Sequence, residues 1–111
     1  MEIQKKEINN VQALKYFVEK EGKEVARAYI YIIKNDLHDD PYGLLEDLYV
    51  DEDYRGQGLG TELLKKTIAG AKEAGCYKFL ATSRKEREVV HGWYKKNGFE
   101  EHGLEFRINF F

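Results

Sequence analysis

Between Val11 and Val50 the apolar residues come in short runs separated by polar turns, which is a strand signature. Residues 11 to 19, with Tyr16, Phe17 and Val18, read as a first strand. Glu21-Gly22-Lys23 is a turn, and Glu24 to Lys34 is a second strand carrying Val25, Ala26, Tyr29, Ile30, Tyr31, Ile32 and Ile33. The two make an antiparallel hairpin. A polar loop, Asn35 to Pro41, leads to a third strand from Gly43 to Val50. The period then changes. From Thr61 to Ala74 the residues Leu63, Leu64, Thr67, Ile68 and Ala71 fall on one helical face, and Gly75 is a good stop. Cys76 to Thr82 reads as a strand. Lys85 to Asn97 reads as a helix with Val89, Val90, Trp93 and Tyr94 on one side and Gly98 at its end. Phe99 to Phe111 divides into two short strands around Gly103, and Glu2 to Glu7 reads as an edge strand.

The order is strands, helix, strand, helix, strands. A helix between the strands ending at Val50 and starting at Cys76 is a right-handed crossover, which makes those two strands parallel. The expected fold is α/β: a mixed, mostly antiparallel sheet with a parallel central pair and helices packed on it. At 111 residues, with no linker-like stretch and no repeat, the chain reads as one domain, 1–111.

Composition narrows the class. Hydrophobic residues make up 42% and charged residues 34%, which suits a globular protein in water. The formal net charge of −2 argues against a nucleic-acid partner, since such proteins carry a basic surplus. No long apolar stretch or signal peptide is visible, so the expectation is a cytoplasmic protein with no membrane partner. The single cysteine, Cys76, allows no intramolecular disulfide and reads as a small core residue. His38 and His102 have no partner pattern, and no cluster has metal-ligand spacing.

The chemistry concentrates at Arg55-Gly56-Gln57-Gly58-Leu59-Gly60-Thr61, between the third strand and the first helix. A glycine-rich loop there aims backbone N–H groups at one point, with the positive end of the helix dipole behind them. That is a site for a phosphate or pyrophosphate, and Arg55 adds a cation at its entrance. Alone the string is weak: about one chain of this length in ten matches it by chance. It lacks both the G-x-G-x-x-G spacing of dinucleotide folds and the Lys-Ser/Thr of the nucleotide P-loop.

About thirty residues later stands His91-Gly92-Trp93-Tyr94-Lys95-Lys96-Asn97-Gly98-Phe99. Taken with Leu44-Leu45-Glu46-Asp47-Leu48-Tyr49-Val50 and the glycine loop, it resembles the GCN5-related N-acetyltransferase (GNAT) superfamily. The first block is similar to that family's acetyl-CoA pyrophosphate loop and preceding strand, the second to its late helix. The Leu-Glu-Asp-x-Tyr-Val block further resembles the polyamine acetyltransferase branch. Only about ten residues precede the strand at Val11, so the two helices that usually come before the hairpin are missing. Those helices help form the acceptor pocket in relatives. Here the acceptor side is open, built by another subunit, or built by the 35–42 loop.

The resemblance implies a division of labour. Acetyl-CoA, as cosubstrate, is held by the backbone of Arg55, Gly56, Gln57, Gly58, Leu59, Gly60 and Thr61, while that of Leu48, Tyr49 and Val50 pairs with its pantetheine arm. One strand amide polarises the thioester carbonyl. An alkylamine is neutral at pH 7 only at a cost of about 4.6 kcal/mol, so a base is needed, and Glu46 is the candidate. The alternative for Glu46 is a strand-edge carboxylate in a salt bridge. Asp47 points the other way on an ideal strand. Tyr94 is the candidate acid for the CoA thiolate, a transfer about 2 kcal/mol uphill on ordinary pKa values. Its alternative is a core tyrosine on the Val90 face. Arg87 stands where many relatives carry an asparagine that contacts the cofactor, and His91 lies one turn before Tyr94. The expected activity is acetyl transfer to a primary amine: a small amine, a polyamine or a protein amino group. The rival reading is a non-catalytic acyl-CoA sensor or assembly subunit. A homodimer suits the short N-terminus and the 14% aromatic content.

Overall fold

The computed structural model describes residues 1–111, which form two compact units, Met1–Ala81 and Thr82–Phe111. The first unit holds β1 (Val11–Lys20), β2 (Lys23–Ile33), β3 (Tyr42–Val50), α1 (Leu59–Glu73) and β4 (Phe79–Leu80). The second holds α2 (Glu88–Lys96). The sheet runs β1-β2-β3-β4, antiparallel up to β3 and parallel from β3 to β4. The mixed sheet and its parallel pair are as the pattern predicts. The pair stands at one edge of the order rather than at its centre, because Phe99 to Phe111 forms no strand.

Alternation on β2 builds the core. Ala26, Ala28, Ile30 and Ile32 are buried, while Arg27, Tyr29, Tyr31 and Ile33 point to the other face and are half-buried. Leu45 of β3 joins the buried set as the cross-strand neighbour of Ile30. Against this layer α1 lays the stripe predicted for it, with Leu63, Leu64, Thr67 and Ala71 buried and Ile68 half-buried. The Thr67 hydroxyl donates to the Leu64 carbonyl at 2.7 Å, which lets a polar side chain sit fully buried. Gly70 lets α1 approach β1: a Cβ there would collide with the Tyr16 hydroxyl.

The strands β1 to β3 shift by a residue at their ends, and larger differences from the sequence pattern lie elsewhere. α1 begins at Leu59, two residues early, because Gly58 caps it and Glu62 N–H already donates to the Gly58 carbonyl. Only Phe79–Leu80 of the Cys76–Thr82 stretch is strand. The Cys76 N–H is spent on the Ala71 carbonyl and that of Gly75 on Lys72, closing a Schellman cap on α1. The second helix is shorter than 85–97. Residues 1–10 form no strand, although the Asn10 carbonyl accepts from Lys34 N–H and Lys6 pairs with Asp36 at 2.8 Å.

Candidate active site

β3 does not keep its alternation. Tyr29 faces Glu46 and Arg27 faces Tyr49, so Asp47 and Leu48 together oppose the single residue Ala28. This is a β-bulge, and Asp47 takes a left-handed φ of 51° to make it. The bulge resets the phase of the strand. On an ideal strand Glu46 and Tyr49 would lie on opposite faces. With one extra residue between them, both lie on the face away from α1, beside Tyr29 and Arg27, and Val50 turns toward the helix. Glu46 is half-buried there and takes no part in the ion pairs of the sheet, which join Glu24 to Lys15 and Arg27, and Asp51 to Lys23. The salt-bridge alternative for Glu46 is therefore not realised. The hydrogen-bonding partner Glu24 raises the ammonium pKa of Lys15.

Parallel pairing of β3 with β4 is confined to Gly43 and Leu44. Leu45 to Val50, the bulge included, runs on past the end of that ladder. The candidate backbone at Leu48, Tyr49 and Val50 lies in this stretch. Beyond Val50 a 3-10 turn, Glu52–Tyr54, carries the chain to Arg55.

Arg55 is tethered: its Nε donates to the Val50 carbonyl at 2.8 Å, and its guanidinium carbon stands 5.5 Å from the centre of the Tyr49 ring. Arg27 approaches the same ring at 4.9 Å. The Tyr49 side chain thus does more than pack. It braces the cation at the loop entrance, a role visible only once the bulge brings Tyr49 and Arg27 together. Gly56 and Gly58 adopt φ of 79° and 80°, where an L side chain is strained, and a Cβ on either would meet nothing within 4 Å. These glycines are needed for the turn rather than for packing, and the space beside them is open. Gly58 is the N-cap of α1 and supplies no side-chain cap, so the Leu59 and Gly60 amides open the helix toward that space. Gly60 sits 3.7 Å (from an ideal Cβ) from Val50 Cγ2, which seats the helix start on the end of β3. Leu59, Gly60 and Thr61 are therefore first-turn residues, and the loop proper is Arg55–Gly58. Gln57 is exposed within it. Glu52, Asp53 and Glu62 flank the loop, so any pull on an anion is short-range and rests on Arg55 and the amides.

The 35–41 loop lies at the start of β3, the glycine loop at its end. Asn35 Oδ1 accepts from the Leu37 and His38 amides, and the Pro41 carbonyl accepts from Tyr77 N–H. That loop is knitted to the segment entering β4.

The second unit supplies Tyr94, half-buried on α2 with its ring 5.5 Å from that of Trp93 and 5.2 Å from that of Phe99. The end of α2 explains the spelling of this motif. Gly98 N–H donates to the Lys95 carbonyl and Phe99 N–H to the Tyr94 carbonyl, a Schellman cap with Gly98 at φ 102°. The Tyr94–Phe99 ring contact is the hydrophobic clasp that accompanies such a cap. The His91 Nε2–H donates to the Arg84 carbonyl at 2.8 Å, which ties down the turn before α2. Arg87 is the exposed N-cap residue of α2.

A bulged strand thus runs into a glycine-capped helix start, and a braced arginine between them stands beside backbone amides that face open space. The acetyltransferase (GNAT) family model matches residues 2–99, and the chain belongs to that family. It is similar to aminoglycoside N(6')-acetyltransferase type 1 of Acinetobacter genomosp. 13, with 32% identity over 78 residues, covering 70% of this chain and 52% of the relative. It is also similar to glucosamine 6-phosphate N-acetyltransferase of Trypanosoma brucei brucei, with 36% identity over 67 residues, 60% of this chain and 44% of the relative. The chain spans about half the length, or less, of these curated relatives. Among solved structures, glucosamine-6-phosphate N-acetyltransferase from Arabidopsis thaliana superposes with a TM-score of 0.76 at 28% identity, over 88% of this chain and 67% of that one. No helix is long and apolar enough to cross a membrane.

Proposed function

We propose that residues 1–111 work as one N-acetyltransferase domain that moves an acetyl group from acetyl-CoA to a primary amine by direct attack. The observation that carries this reading is the continuity of β3, its bulge and the Arg55–Gly58 loop with the N-terminus of α1. The amides from Arg55 to Thr61 and the Arg55 guanidinium hold the pyrophosphate. The backbone of Leu48, Tyr49 and Val50 pairs with the pantetheine arm, and one amide at the bulge donates to the thioester oxygen as charge develops on it. Glu46 attracts the ammonium form of the acceptor and takes its proton, directly or through water. The neutral nitrogen then bonds to the carbonyl carbon, the C–S bond breaks, and Tyr94 gives the departing thiolate its proton.

Acceptors named for relatives, an aminoglycoside and glucosamine 6-phosphate, are small polar amines. The acceptor proposed here is likewise a cationic primary amine. Glu46 supplies the charge that selects it, and Tyr29, its cross-strand neighbour, supplies an aromatic surface.

The test is thermal unfolding with acetyl-CoA, desulfo-CoA and ATP, followed by a screen of primary amines for CoA release. A ligand at 100 times its dissociation constant adds about 2.7 kcal/mol, a shift of several degrees for a domain of this size. A shift with both CoA compounds, none with ATP, and amine-dependent CoA release supports the reading. Binding without turnover on any amine leaves a CoA-binding module instead. No shift with CoA compounds removes the loop as a site.

A further inference from the structure

The register of the sheet sets six side chains in a grid on the face away from α1. Lys15, Tyr29 and Glu46 form one row across β1, β2 and β3, and Phe17, Arg27 and Tyr49 form the next. Directly opposed residues share a face, and two strand spacings put the Cα atoms of Lys15 and Glu46 about 10 Å apart. The first row therefore runs from a cation, past a ring, to the carboxylate assigned to the acceptor's amine. The grid is open to solvent: Phe17 is 51% exposed and Tyr49 39%, and the Lys15 and Arg27 side chains are 37% and 38% exposed.

Tyr29 already has a cation beside it. The Lys15 ammonium stands 5.6 Å from the centre of its ring and 5.3 Å from that of Phe17. Glu24 holds it there and also pairs with Arg27 at 3.7 Å. One carboxylate between two cations leaves a surplus positive charge at this end of the row. The hydrogen bond to Glu24 raises the Lys15 pKa, so the ammonium keeps its charge near neutral pH. At the other end Glu46 joins none of these pairs. An acceptor lying along the row with its amine at Glu46 brings its far end to Lys15. A second ammonium there meets a like charge, and a carboxylate or phosphate meets an opposite one. We infer, resting on the acetyl-transfer reading above, that Lys15 determines specificity, and that the acceptor is a primary amine with an anionic group at its far end rather than a diamine or polyamine. The sign is opposite to the one that the resemblance to the polyamine branch implies.

Three acceptors of matched length test it: 6-aminohexanoate, its amide, and 1,5-diaminopentane. Each has five methylenes between the reacting amine and the far group. Release of CoA by the full chain gives kcat/KM for each. An exposed ion pair is worth up to about fivefold in an equilibrium. The parent therefore prefers the carboxylate to the amide, and the amide to the diamine counted per amino group, by up to about fivefold at each step. Lys15→Glu inverts the order. Lys15→Met, which leaves Glu24 to Arg27 alone, brings the three within about twofold of one another. Salt at about 1 M, where the Debye length is about 3 Å, flattens the parent's order. Circular dichroism checks that both variants fold. A purely structural role for Lys15 would change all three values together and leave their ratios alone. Turnover with ratios that neither variant moves, or a parent that prefers the diamine, overturns this inference and leaves acetyl transfer standing. Release of CoA with no amine at all overturns acetyl transfer, and this inference with it.

Discussion

Gly58 and Gly60 sit two residues apart in one glycine-rich string, yet the same substitution at each has opposite consequences. Gly58 caps α1 at a left-handed φ of 80° with open space around it. An alanine there meets no atom but carries the left-handed penalty of about 1–2 kcal/mol. A less flexible unfolded chain returns about 0.4–1 kcal/mol, leaving a net loss near 1 kcal/mol. Gly60 is in the first turn of α1, and its ideal Cβ meets Val50 Cγ2 at 3.7 Å, an ordinary contact. Alanine there gains about 0.5–1 kcal/mol from helix propensity. The two single variants therefore differ by roughly 1.5–2 kcal/mol, which thermal unfolding reads as a gap on the order of 5–10 °C. Acetyl-CoA adds a second readout. On the proposed function, Gly58→Ala displaces the amides assigned to the pyrophosphate and so shrinks the acetyl-CoA-induced shift. If Gly58→Ala melts at or above Gly60→Ala, the left-handed cap is not there and the loop geometry argued above is wrong.

Glu46→Gln lowers kcat on the best amine by about 100-fold or more, the usual contribution of a positioned base, with little change in acetyl-CoA affinity; unaltered kinetics would remove Glu46 from the mechanism. Tyr94→Phe keeps the acetyl-CoA melting shift and cuts kcat, and equal rates would leave Tyr94 as a clasp for the helix end only. Gly70→Ala, which in an isolated helix gains stability, here costs about 1–3 kcal/mol because the new methyl meets the Tyr16 ring, 3.1 Å from Cζ; a urea midpoint above that of the parent would refute the β1–α1 packing. Burial raises the pKa of the Cys76 thiol. Less thiolate is present near neutral pH than for an exposed cysteine, so alkylation is slower than for glutathione and accelerates only at higher pH, and Cys76→Ala leaves acetyl transfer unchanged.

How much of this was legible follows from which contacts are local. The hairpin Val11–Ile33, β3 and the stripe on α1 were readable because side-chain period and local turn chemistry set them. The glycine loop was readable as a loop for the same reason. What pattern cannot show is a one-residue insertion in a ladder: β3 reads as continuous, and nothing in Leu-Glu-Asp-Leu-Tyr marks Asp47 as left-handed. That residue decides which side chains share a face, so the pattern alone does not place Arg27 and Tyr29 beside Tyr49 and Glu46. An arginine inside an otherwise apolar strand was the available signal. Cys76 to Lys78 read as strand because β-propensity is blind to a helix cap that consumes the Cys76 amide.

The two family motifs in this chain gain a physical reading from the same geometry. Gly58 and Gly98 both lie in left-handed conformations at helix ends, one at the start of α1 and one at the close of α2. At the start, glycine leaves the helix amides facing open space, where the proposed function puts the donor's pyrophosphate. At the close, glycine lets the Phe99 amide reach the Tyr94 carbonyl and the two rings meet, which serves the fold. So the aromatic-Tyr-x-x-x-Gly-Phe string would persist in a chain that had lost catalysis, since its spacing is required by the cap alone. The Arg55–Gly58 glycines are required by the turn and the cap as well, but nothing packs against them, and Arg55 is braced by Tyr49 in the open. Kinetic evidence for catalysis must therefore come from the Tyr94 hydroxyl, which the cap does not require, and evidence for the donor site from the loop.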